Sequence, residues 1–207
     1  MNELKEILGL ALLQVAHNKD KEVVERAVTT LINCYCEPTR HHHTLAHVKH
    51  MLAEFERHKQ TSVEMCIAAF YHDAIYDVFA TDNEEKSANI VEDVLLKLKS
   101  SNQYIDRVRR LILCTKTHQG VTKEEKLFID ADMSILAAHQ TEYHEYMVGI
   151  KREYSSLPPF VFEVGRSRFI GELLQCERIF LSEEYKHLEE RARGNLRSEL
   201  VWLELGL

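Results

Sequence analysis

Glycine and proline are so scarce in this chain of 207 residues, seven and three, that long stretches run without the punctuation that strands and hairpins need. A sheet must turn back on itself every few residues, whereas a helix has no such requirement. The apolar residues follow suit, recurring at 3.6-type spacing as Leu4, Ile7, Leu8 and Ala11, then Val23, Val24, Ala27, Val28 and Leu31, then Val48, Met51, Leu52 and Phe55. Thr81-Asp-Asn-Glu84 has the form of a capping box ahead of a stripe at Ala88, Val91, Leu95 and Leu98. Tyr104, Ile105, Val108, Leu111 and Ile112 lead toward Gly120, a suitable helix stop, and 128–136 reads as a helix opening with Asp130 and Asp132 in its first turn. The pattern predicts an all-α fold.

With 45% hydrophobic residues the chain can bury one substantial core. No repeat, low-complexity segment or linker divides it, and the one soft boundary is Pro158-Pro159. Beyond that point Phe169, Ile170, Leu173, Leu174 and Ile179, then Leu196, Leu200 and Leu203, call for packing on the same core, so a single domain over 1–207 is expected. The net charge of −7 argues against a protein that coats nucleic acid but leaves room for a small phosphorylated ligand, which needs only a few local cations and a metal. Five cysteines without a Cys-x-x-Cys pair point to a reducing compartment. Neither a signal peptide nor a membrane-length apolar run is found, so the expected location is cytoplasmic, with no membrane partner. Oligomeric state is not readable.

The chemistry centres on Cys66-Ile-Ala-Ala-Phe-Tyr-His72-Asp73. Val63, Cys66, Ile67 and Phe70 lie on one side of a helix, while Met65, Ala68 and Ala69 fill the other. An imidazole and a carboxylate therefore end a helix buried on most of its surface. A buried carboxylate must be paired, hydrogen-bonded or bound to a cation, because isolated burial of a charge costs roughly several kcal/mol. Twelve histidines are many for this length, and His41, His42, His43, His47 and His50 crowd one stretch, with His43 and His47 spaced to share a helix face. His47, His72-Asp73, and either Asp130 or Asp132 then offer nitrogen and oxygen donors from three separate elements. Such a mixed shell suits a divalent ion, with Mn, Co, Ni, Fe, Zn or Mg as candidates, better than a cysteine-rich structural zinc site.

Four ordered blocks carry a resemblance: Arg40-His-His-His43-Thr-Leu-Ala-His47-Val, Tyr71-His-Asp-Ala-Ile-Tyr-Asp77, Asp82-Asn-Glu-Glu-Lys-Ser-Ala88 and Asp130-Ala-Asp-Met-Ser-Ile-Leu136. Together with Ala192-Arg193-Gly-Asn195-Leu196, they resemble the HD superfamily of metal-dependent phosphohydrolases, and within it a group of undefined substrate. The resemblance implies an HD-domain-like helical bundle, with a motif core at 40–136 and additional C-terminal helices over about 137–207. It implies His47, His72, Asp73 and Asp132 as metal ligands, with Asp130 the second choice for the last. It further implies hydrolysis of a phosphate ester or anhydride of a small molecule, a nucleotide by analogy, by a metal-activated water.

Asp77, expected one helical turn beyond Asp73, and Glu84 are the candidate catalytic acids or bases, although a capping role also accounts for Glu84. Tyr76 stands where some of these hydrolases carry an acid, which weakens transfer of a catalytic role. Arg40, His43, Lys116 and His118 are candidates for substrate phosphate, Arg40 as a bidentate clamp. Only His139 and His144 follow downstream, which favours one metal per chain. The alternatives are a metal-containing nucleotide-binding or sensing module without turnover, and a satisfied polar network in a plain helical bundle.

Overall fold

The computed structural model describes residues 1–205; Gly206 and Leu207, the end of the expected C-terminal extension, lie outside the described residues. Ten α-helices and no strand occur among the described residues: α1 (Asn2–Val15), α2 (Lys21–Cys34), α3 (Leu45–Arg57), α4 (Val63–Tyr71), α5 (Asn83–Lys97), α6 (Asn102–Leu113), α7 (Lys123–Met133), α8 (Gln140–Glu153), α9 (Pro159–Gln175) and α10 (Glu189–Leu205). Short 3-10 turns follow α6 at Cys114–Lys116 and α7 at Ser134–Ala137, and a third at Lys186–Leu188 precedes α10.

The short helix α4 is the axis of the bundle. Every residue from Glu64 to Tyr71 is buried, and the helix packs against α1, α3, α5 and α6. Its one buried charge, Glu64, is met by Arg107 of α6 at 2.8 Å. Helix α3 lies on α7, while α10 packs on α9 and on the 3-10 turn after α7. One connected apolar cluster runs from Leu4 through to Leu196. No described helix is long and apolar enough to cross a membrane.

Local expectations are corrected at three places. The capping box forms at Thr122 and Glu125, at the start of α7, and not at Thr81 and Glu84. The Asn83 side chain is hydrogen-bonded to both the N–H and the carbonyl of Asp77, and α5 starts at Asn83 itself, which puts Glu84 one position short of the box register. His118, not Gly120, adopts positive φ (51°) after α6. Gly120 is demanded by packing, since a Cβ there would lie 2.8 Å from the backbone nitrogen of Lys126. Helix α7 begins five residues before Phe128, so Asp130 and Asp132 stand in its last turn rather than its first. Pro158 and Pro159 open α9, as N-cap and first helical residue, where proline's missing N–H costs nothing.

Candidate metal centre

The C-terminal ends of α4 and α7 converge. His72 caps α4 and Asp73 follows it, and Asp132 is the penultimate residue of α7. Helix C-termini carry partial negative charge, and carboxylates placed there are disfavoured by about 0.3–1 kcal/mol each unless a positive group faces them. His47, in the first turn of α3, faces these two ends: its Nε2 lies 2.9 Å from Asp132 Oδ1 and 3.2 Å from His72 Nε2. His72 Nε2 in turn lies 3.0 Å from Asp73 Oδ2 and 3.6 Å from Asp132 Oδ1.

The proton positions show why this cluster calls for a cation. His72 Nδ1 sits 2.9 Å from the carbonyl of Ala69, which can only accept, so Nδ1 holds the hydrogen and Nε2 of the neutral ring presents a lone pair. That lone pair faces a carboxylate oxygen and a second imidazole nitrogen. Either an extra proton or a shared cation must sit among them. Without a metal the proton is the answer: burial pushes the His72 pKa down, but Asp73 and Asp132 override it and raise the value well above the ordinary one. Burial likewise opposes ionisation of the two aspartates, yet His72 and His43 hold Asp73 low, and hydrogen bonds from His47 and His72 hold Asp132 low. His47, His72 and Asp73 can hold a metal ion, their donor atoms all lying within 4.8 Å of one another. Bonds of about 2.1 Å place neighbouring ligand atoms roughly 3 Å apart, near the His47–His72, His72–Asp73 and His47–Asp132 separations, while His72 and Asp132 stand further apart at 3.6 Å.

Asp130, two residues from Asp132, points elsewhere. Its carboxylate accepts from the N–H groups of Leu181 and Ser182, both at 2.7 Å, and from the Ser182 hydroxyl. It anchors the segment leading to α10.

A cavity of about 520 Å³ opens on the cluster, lined by His43, His72, Asp73, Asp132, Glu84, Lys116 and His118 among others. Of the expected phosphate ligands, His43, Lys116 and His118 therefore reach it. His43 precedes α3 rather than sharing its face with His47; its ring stacks on Tyr76 at 4.0 Å, and Nδ1 meets Glu153 Oε2 at 2.7 Å. Burial lowers its pKa, but Asp73 and Glu153 together raise it. Lys116 is tied to Glu85 and to the Thr81 carbonyl.

Arg40 and Asp77 do not fit the roles expected of them. The Arg40 guanidinium is buried and spent on the protein itself, donating to the carbonyls of Asp73 (2.6 Å), Ala74 (3.0 Å) and His43 (3.3 Å) and to Glu37 (3.0 Å). It fixes the backbone of the His-Asp doublet and, buried outside the cavity lining, is not placed to clamp phosphate. Asp77 is exposed and outside the cavity lining, because α4 stops at Tyr71 and the following residues turn away. Its carboxylate accepts from the N–H of Phe79.

Glu153 was not singled out from the sequence. One oxygen accepts from the N–H groups of His41, His42 and His43 at 2.7, 2.7 and 2.9 Å, and the other binds the His43 ring. The approach is close because Gly149, one turn earlier on α8, has no Cβ to meet the Cβ of His42. A usable signal existed: Tyr143, Tyr146, Ile150 and Glu153 form a stripe of buried spacing that ends in a carboxylate, the same anomaly as at Asp73. The cavity wall from α9 comprises Val161, Phe162, Gly165, Arg166 and Phe169, of which Phe169 was expected in the core rather than at the site.

Comparisons with protein-family models, curated proteins and solved structures find no match to this chain.

Proposed function

We propose that the protein is a metal-dependent phosphohydrolase of the kind its sequence blocks resemble, acting on a small phosphorylated compound, a nucleotide by analogy. The observation that carries this reading is the convergence of two imidazoles and two carboxylates on the negative ends of α4 and α7, at a cavity large enough for a small metabolite. A divalent ion held by His47, His72, Asp73 and Asp132 would bring the pKa of water toward neutrality and offset charge on phosphoryl oxygens. The chain's own groups supply the rest. His43, held by Glu153 and stacked on Tyr76, lines the cavity beside the cluster, and Lys116 and His118 add donors from the turn after α6. With Asp77 outside the cavity, Glu84 is the carboxylate placed to exchange a proton with a leaving group.

The test is to load metal-free protein with Mn, Co, Ni, Fe, Zn or Mg in turn, and to measure bound metal and phosphate release from nucleotides and simple phosphoesters. Metal-dependent release that falls at least a hundredfold in Asp73→Ala is expected. Stoichiometric nucleotide binding with no release in any metal favours a sensing module instead. A melting temperature indifferent to all six ions and to EDTA would end the metal reading altogether.

A further inference from the structure

Arg166 is only 9% exposed, yet it lines the cavity. Its Nε and Nη2 donate to Glu199 at 2.7 and 3.1 Å, and Nη2 also to the Tyr146 hydroxyl at 3.0 Å. Nη1 makes no hydrogen bond to any of the described residues. The guanidinium lies over the rings of Tyr146 and Phe169, 5.2 Å from each centroid. Nη1 is thus a donor at the cavity, set among apolar and aromatic side chains, and a ligand that displaces water there must supply its acceptor.

Gly165, the neighbouring residue, also lines the cavity and sits inside the seventeen-residue helix α9, where glycine is the worst choice after proline. Packing does not require it: a Cβ there would have nothing within 4 Å. Ile150, Leu157, Val161 and Phe162 complete this apolar wall.

We infer that the α9 wall is a recognition subsite for an uncharged, planar heterocycle bearing a hydrogen-bond acceptor, such as a nucleobase. Arg166 is its specificity-determining donor and Gly165 the gap that admits the ring. The group is uncharged because Glu199 already balances the guanidinium, and planar because the wall lining the cavity around Gly165 is aromatic and apolar, Phe162 and Phe169 among its side chains. It carries an acceptor because a hydrocarbon would leave Nη1 unpaired. The inference rests on the phosphohydrolase reading only for the phosphate on the rest of the molecule.

The test therefore begins without phosphate or metal. In EDTA-treated full-length protein, nucleosides should bind measurably by calorimetry or ligand-observed NMR, and ribose should not. Gly165→Leu keeps every Arg166 hydrogen bond but fills the gap, so nucleoside binding should weaken at least tenfold at an unchanged or raised melting temperature. Arg166→Lys, which keeps the pair with Glu199, should reduce discrimination among bases. Equal binding of ribose and nucleosides overturns the subsite, as does a folded Gly165→Leu protein that binds nucleosides normally. Nucleoside binding without phosphate release from any nucleotide would leave the subsite standing and remove only the hydrolase.

Discussion

Arg40 shows how one side chain can matter to a site without entering it. Three backbone carbonyls, two of them belonging to Asp73 and Ala74, depend on its guanidinium, which also lies over the rings of Tyr35 and Tyr76. Arg40→Ala should cost about 1–3 kcal/mol in chemical denaturation, since the carbonyls of Asp73 and Ala74 lose their donor while half-exposed Glu37 regains water. Arg40→Lys should recover little of it, because an ammonium cannot span the same fork. Asp130 and Asp132 give a second contrast. Two residues apart on a helix they point about 200° from each other, so only one can face the cavity. Asp130→Asn should lower stability by about 1–3 kcal/mol by disturbing the Leu181–Ser182 anchor while leaving metal uptake intact. Asp132→Asn should do the reverse, and paired thermal melts and metal titrations would show it. The sequence showed that these groups needed partners. Which partner each one found depends on elements dozens of residues away, and side-chain type does not encode that.

Among the elements, α4 was the most legible, because eight consecutive buried residues leave little choice of setting. Its end was less so. Helical continuation would have carried Asp77 round to the cavity, but the chain leaves the helix at Tyr71 and is held there by Arg40 and by Asn83. Helix α8 lay within the helical extension expected over about 137–207; its buried stripe marks Glu153 as a carboxylate in need of partners, but not that these are the backbone N–H groups of His41, His42 and His43. Burial pushes the Glu153 pKa up, but the His43 ring and the backbone donors outweigh it, holding the value at about 2 against an ordinary 4.5. A depressed carboxylate stabilises the fold at pH values above 4.5, and the contribution fades as the pH falls toward 2. Across that window the protein should lose about 3 kcal/mol through this group. Glu153→Gln should be less stable at pH 6 and show a shallower acid decline, measurable by denaturant midpoints taken from pH 6 down to 2.

At the scale of the molecule, the periodicity and the shortage of glycine and proline were enough for the all-α class, and the apolar stripes beyond Pro158 did join the common core. The division of labour between the halves was not visible. The blocks between residues 40 and 136 hold the His-Asp cluster, while α8 and α9 wall the cavity and α10 secures them through Glu199. Glu199 receives bonds from Arg166 and from the Tyr143 hydroxyl, linking α8, α9 and α10 at one carboxylate. Glu199→Ala should cost about 3–5 kcal/mol by stranding a buried guanidinium, and calorimetry would register it as a lower melting temperature. The grip of Glu153 on the histidine turn has a further consequence, for the order in which the molecule is made. Residues 41–43 are synthesised about 110 positions before the carboxylate that gathers their N–H groups. At roughly 5–20 residues per second, that turn waits about 5–20 seconds for its acceptor. The histidine turn is thus translated well before the carboxylate that fixes it in place.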